Sequence, residues 1–113
     1  MVSKLKISIS HLFLLVIILA LLQTLVSCDI SENKRNKYYV RANEFLDKRD
    51  YEQAIKNSDE AVLVDPQFAS GWNNKGIAHF ELGQYTDAIA SYNNAIIVEP
   101  DMNEAYFNRA KAF

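Results

Sequence analysis

The sequence predicts an all-α chain: an α-solenoid of about two and a half helix-turn-helix repeats behind an N-terminal signal or anchor helix. Three observations predict it. An uninterrupted apolar run, Leu12–Leu22, follows Lys4 and Lys6 near the N-terminus. The remainder of the chain matches itself at an offset of 34 residues. Alanine and glycine recur at set places in that repeat, with aromatic residues between them, as close helix packing requires. Composition agrees. With 113 residues, 50% hydrophobic, three Gly and two Pro, the chain is neither low-complexity nor globally disordered and has room for one small domain.

The leader comes first. Lys4 and Lys6 form a positive n-region, and the eleven residues Leu12–Leu22 an h-region. Eleven helical residues rise roughly 16 Å, about half a hydrocarbon core, which suits a signal peptide better than a spanning helix. Leu25-Val26-Ser27-Cys28 follows, with the only cysteine of the chain at its end. It resembles the lipobox of bacterial lipoproteins. The resemblance implies a lipoprotein-type signal peptide over 1–27, a diacylated Cys28 as the new N-terminus, and a short tether over 28–34. Two or three acyl chains anchor stably where one does not. The implied place is the bacterial cell envelope, membrane-anchored and extracytoplasmic. Asp29 after the cysteine would favour the inner membrane under enterobacteria-like sorting. A second reading keeps the segment uncleaved. Lys34, Arg35, Lys37 and Arg41 outnumber Lys4 and Lys6, and the positive-inside rule then leaves the repeats in the cytoplasm. The absence of an Asn-x-Ser/Thr sequon fits a bacterial chain.

The repeats follow as 35–68, 69–102 and a partial 103–113. Tyr51, Ala54, Ile55, Ala61, Val64 and Pro66 recur as Tyr85, Ala88, Ile89, Ala95, Val98 and Pro100. The third copy aligns Tyr106 with Trp72, Asn108 with Asn74 and Ala110 with Gly76. Each full unit reads as two helices. Asn36–Lys48 and Ser70–Leu82 carry Tyr38, Ala42, Phe45 and Trp72, Gly76, His79 on one helical stripe. Arg49-Asp50 and Gly83-Gln84 break the stripe, and Asp50 with Gln53 has capping-box spacing. The second helices end at Asp65-Pro66 and Glu99-Pro100, because the residue before proline leaves the α region.

These residues carry a family resemblance. The stretch from about Arg35 to Phe113, 79 of 113 residues, resembles tetratricopeptide repeats. Trp72-x2-Lys75-Gly76-x2-His79, then Ala88, Tyr92, Ala95 and Pro100, follow the family pattern. Lys75 stands where leucine is typical, and His79 where tyrosine is. Arg41 and Arg109 repeat the first departure, so their stems are expected along apolar surface with the charges in water. Ser58 replaces the aromatic seen at Tyr92 and predicts a thinner core in the first unit.

No catalytic constellation is present. His79 has no His or Cys at ligand spacing, Ser58 and Ser91 have no nearby base, and no G-K-[ST] phosphate loop occurs. A single cysteine excludes an internal disulfide framework. A formal net charge of −2 argues against nucleic acid as a partner. No enzyme activity, cofactor or metal is expected. The resemblance implies that the first helix of each unit lines a concave groove for a peptide or protein partner. The matching positions include Tyr39, Asn43, Asn73, Asn74, Ile77, Phe80, Phe107 and Asn108. Amides can donate to and accept from an extended backbone, and the aromatic residues can receive apolar side chains. The chaperone-tail clamp of some relatives does not carry over. Asn43 and Asn74 match it, but Tyr39, Glu104 and Asn108 stand at its cationic positions. The expected function is a membrane-tethered protein-interaction module. The alternative is the anchored docking domain of a truncated or multi-chain enzyme or envelope assembly machine. At the C-terminal end, Ala110 and Phe113 are expected to be exposed, which predicts fraying or a homo-oligomer through that helix.

Overall fold

The computed structural model describes Lys6 and residues 8–113; Lys4 of the expected n-region lies outside them. Five helices follow one another: α1 (Ile9–Asp47), α2 (Tyr51–Val64), α3 (Ala69–Glu81), α4 (Tyr85–Val98) and α5 (Asn103–Ala112). No strand occurs among the described residues. The chain divides into two compact bodies, one ending at Ile30 and one, holding the repeats, comprising Ser31–Phe113.

The body ending at Ile30 holds the apolar part of α1. Its side chains are exposed, Phe13 at 70% and Leu25 at 67% among them. By length and composition alone α1 could cross a membrane, since an 18-residue window within it has a mean hydropathy of 2.5, and a signal sequence near an N-terminus meets the same criterion. The structure departs from the expected boundaries here. Residues 28–34, read as a tether, are helical, and the helix expected to begin at Asn36 is already under way. The physical reason is the absence of any Gly or Pro before Pro66, so no helix breaker interrupts the segment. A contact of 3.4 Å between Glu32 and Arg35, one turn apart, adds to it.

In the body Ser31–Phe113, α2 packs on α3, α3 on α4 and α4 on α5, with α3 also meeting α5. Alanine makes the crossings. Ala42, Ala54, Ala61, Ala78, Ala88, Ala95 and Ala105 are all fully buried, so the backbones approach closely. Tyr92 supplies the largest buried side chain. The first-to-second helix turns are alike. Arg49 at φ 58° and Gly83 at φ 74° both take the left-handed conformation. Asp50 N donates to Phe45 O and Gln84 N to His79 O, each at 2.9 Å, the bonds of a Schellman close. Asp50 caps α2 as its spacing predicts, its carboxylate accepting from Gln53 N at 3.3 Å. Asp65 (φ −139°, ψ 94°) and Glu99 (φ −132°, ψ 87°) are extended before their prolines.

The expected thin core of the first unit is visible as a change of side chains at one crossing. Gly76 faces Tyr92, and a Cβ on it would overlap the ring. One repeat earlier the same places hold Ala42 and Ser58, both buried. Among the described residues the Ser58 hydroxyl has no hydrogen-bond partner.

Candidate functional site

The first helices of the units, α1, α3 and α5, carry the eight expected groove residues. Amides join these helices. Asn74 Nδ2 on α3 donates to Asn43 Oδ1 on α1 at 2.7 Å. Asn108 Nδ2 on α5 donates to Asn73 Oδ1 on α3 at 3.2 Å. Asn73, Asn74 and Asn108 are only 2%, 7% and 9% exposed, so part of their bonding capacity is spent holding helices together. Each amide has two donors and an acceptor oxygen with two lone pairs, so one bond leaves capacity over.

Two aromatic groups flank the amides. Tyr39 meets Phe68 edge to face at 5.1 Å, and the Arg35 guanidinium lies 4.5 Å over the Phe68 ring while bonding Asp65 at 2.8 Å. Further along, Phe80 meets Tyr85 at 5.4 Å. The Lys111 ammonium lies 5.5 Å from the Phe80 ring and 5.3 Å from Phe107, drawing both rings towards one cation. Phe107 is 66% exposed, whereas Ile77 and Phe80 pack partly against Ala88, Tyr92 and Ala112. Burial pushes the Tyr92 phenol above its ordinary range, with the carboxylates of Glu81 and Glu104 adding to the shift.

The structure thus brings Asn43 to Asn74, Asn73 to Asn108, and Phe80 to Phe107 through Lys111. Tyr39 joins a separate group. Arg35, Phe68 and Tyr85 are the neighbours that reading the first helices alone leaves out. Phe68 and Tyr85 stand next to Ala69 and Gln84 at helix boundaries, and their aromatic character beside turn residues was the available signal. His79 is half-buried, its Nδ1 2.6 Å from Gln84 Oε1. No group of three or more His, Cys, Asp or Glu side chains able to hold a metal occurs among the described residues. Cys28 is exposed. At the other end Ala110 is exposed and Phe113 is 85% exposed. What the surface offers chemically is a buried amide strip between aromatic contacts, with one lysine shared by two of the rings.

Comparison with known proteins places this arrangement. A family model described as a tetratricopeptide repeat matches residues 39–97 and again 73–113. A protein SGT1 homolog of rice, Oryza sativa subsp. japonica, is 35% identical over 63 residues, 56% of this chain and 17% of that protein. The small glutamine-rich tetratricopeptide repeat-containing protein 2 of Saccharomyces cerevisiae is 29% identical over 65 residues, 57% of this chain and 19% of that one. The chain therefore spans less than a fifth of these two curated relatives. Among solved structures, the TPR2B domain of yeast Sti1 in complex with a pHsp70 peptide superposes with a TM-score of 0.69 at 30% identity, covering 70% of this chain and 63% of that one. The TPR domain of Arabidopsis OM64 superposes with a TM-score of 0.68 at 26% identity, covering 70% and 65%.

Proposed function

Since this chain belongs to the tetratricopeptide repeat family, we propose that its repeat unit is a non-catalytic interaction module that holds an extended peptide along the face formed by α1, α3 and α5. The observation that carries this reading is the row of paired amides, Asn43–Asn74 and Asn73–Asn108, beside Phe80, Phe107 and Lys111. Peptide complexes of similar repeat domains lend support. The ligand differs from a chaperone tail. Tyr39, Glu104 and Asn108 stand at the cationic positions of that clamp, and a desolvated terminal carboxylate would go uncompensated. We assign instead an apolar, extended segment whose side chains enter beside Phe80 and Phe107. The test is a peptide array with free and amidated C-termini. Replacing Asn43, Asn74 and Phe80 together by Ala should weaken binding about tenfold or more while helix content stays unchanged. Equal binding by the triple variant, or a strict need for a free carboxylate, would reject this ligand.

We further propose that the chain is tethered to a bacterial envelope membrane by lipid on Cys28. Supporting this are the Leu25-Val26-Ser27-Cys28 motif, the exposed apolar helix before it and the exposed cysteine. The helix runs unbroken across Ser27 and Cys28, which favours a second reading as an uncleaved anchor. Cys28→Ser separates the two. Lost acyl labelling and a retained precursor support lipidation; identical mobility and membrane extraction support the anchor.

A further inference from the structure

Three cations hold equivalent places in the first helices: Arg41, Lys75 and Arg109, each 34 residues after the last. Two of them are engaged in the same way. The Lys75 ammonium lies 5.6 Å from the Trp72 ring and 2.6 Å from Asp59 Oδ1 on α2. The Arg109 guanidinium lies 5.3 Å from the Tyr106 ring and donates at 2.8 Å to Asn93 Oδ1 on α4. Asp59 and Asn93 are themselves one repeat apart. Each cation therefore rests near an aromatic ring of its own helix and reaches back to the second helix of the preceding unit.

Arg41 has the first half of this arrangement in its sequence, with Tyr38 three residues before it, and lacks the second. It is exposed, and no hydrogen bond or ion pair engages it among the described residues. The residue 34 places before Asp59 is Leu25, which has neither carboxylate nor amide.

The space beside these cations repeats as well. A cavity of about 330 Å³ is lined by Trp72, Lys75, His79 and their neighbours on α4, and is walled on one side by Ile55 and Asp59 of α2. A cavity of about 410 Å³ is lined by the same positions one repeat earlier, among them Tyr38, Arg41, Phe45 and Asn57. Its lining comes from α1 and α2; among the described residues no third helix supplies the wall that α2 gives to its counterpart. The second unit thus displays, partly filled, the site that the first unit leaves open.

We propose that this open face docks a helix of a partner protein, one presenting an aliphatic residue and, four positions later, a carboxylate. Ile55 and Asp59 define the pattern, since i and i+4 share a helical face. The aliphatic side chain enters beside Phe45, and the carboxylate takes the Arg41 guanidinium, whose fork suits it. Lys56 adds a second cation at the rim, while Glu44 and Glu60 select for basic residues on the flanks of the incoming helix. The two second helices of this chain that carry the pattern or its amide variant, Ile55–Asp59 and Ile89–Asn93, are already committed to Lys75 and Arg109. The second helices of another copy are thus already engaged, so the occupant is assigned to a partner, with Leu25–Asp29 and Ile77–Glu81 of a second copy left to the test.

The probe is a labelled peptide with the sequence of residues 51–64, cross-linked into a helix on the face away from Ile55, titrated into the detergent-solubilised full chain. Saturable binding is expected. Arg41→Glu should weaken it about tenfold or more, and an Asp59→Lys peptide should recover binding to that variant. Asn43→Ala should leave this binding unchanged, separating it from capture of an extended peptide. The proposal is overturned if the unmodified chain shows no saturable binding, if Arg41→Glu binds equally well, or if only Lys75→Glu abolishes binding. Self-association that depends on Arg41, seen by sedimentation, would make the occupant a second copy and overturn the partner assignment.

Discussion

The first and second units share a backbone and fill its tight places differently. Where α3 meets α4, a glycine at 76 makes room for the Tyr92 ring. Where α1 meets α2, Ala42 keeps its methyl group and Ser58 has no ring to accommodate. At the turn between helices, Gly83 takes φ 74° without a side chain, and Arg49 takes φ 58° with one. The same crossing is thus packed by a glycine with an aromatic residue, or by an alanine with a serine. What is maintained from unit to unit is the pair. A single position, taken alone, says little about how well its unit is packed.

The sharpest way to break this comparison is to give the second unit the packing of the first. Tyr92→Ser should cost about 3–5 kcal/mol, the range for removing a buried aromatic side chain. Gly76→Ala alone should cost about 1–3 kcal/mol through overpacking. Made together, the two changes should be markedly less than additive, because the new methyl group enters space the ring has left. Urea unfolding of the four chains measures this coupling, and strict additivity would refute the pairing.

A smaller effect sharpens the contrast through pH. The folded Tyr92 phenol is held above its ordinary range, so the unfolded chain loses that proton first. Stability from this group is full below pH about 10 and falls above it, by at most about 1.4 kcal/mol per pH unit. Tyr92→Phe should flatten that alkaline decline. The first unit, with Ser58 at this place, has no counterpart. If both chains lose stability in parallel above pH 10, the phenol is not the cause.

The smallest changes belong to the first unit. Ser58→Ala should stabilise it by about 1 kcal/mol, since an unbonded buried hydroxyl is removed. Arg49→Gly should add about 0.5–1 kcal/mol by relieving the left-handed backbone. Gly83→Arg should do the reverse, and thermal denaturation of the three variants tests the set. A destabilising Arg49→Gly would mean that side-chain contacts outweigh the backbone term at this turn.

The repeat period, the Asp50 cap and the helix ends before Pro66 and Pro100 were legible in the sequence because each is a local rule, written within a few residues. The unbroken α1 was not. A processing motif at Cys28 suggested a boundary, but nothing in 28–34 breaks a helix. The period places the eight residues expected to line a groove on their helices, and the family resemblance alone gives them that role. Their pairing could not. Asn43 meets Asn74 across 31 residues and Asn73 meets Asn108 across 35, neither being the repeat length. Those offsets follow from how adjacent helices are set against each other, which no single helix encodes. The charges at 75 and 109 were expected in water; instead each charged group lies near an aromatic ring of its own helix and is tied to Asp59 or Asn93.

Trp72 is the only tryptophan, and its indole N–H donates at 3.0 Å to the carbonyl oxygen of Pro66 in the turn between α2 and α3. The chain therefore carries one indole, which can be excited apart from its six tyrosines, at the junction of its two full repeats. Its emission should report when that junction parts, while fraying of α5 should leave it silent. Circular dichroism counts helical residues wherever they lie. Following both signals through one melt would show whether the two repeats separate before either unwinds, or come apart as a single cooperative body.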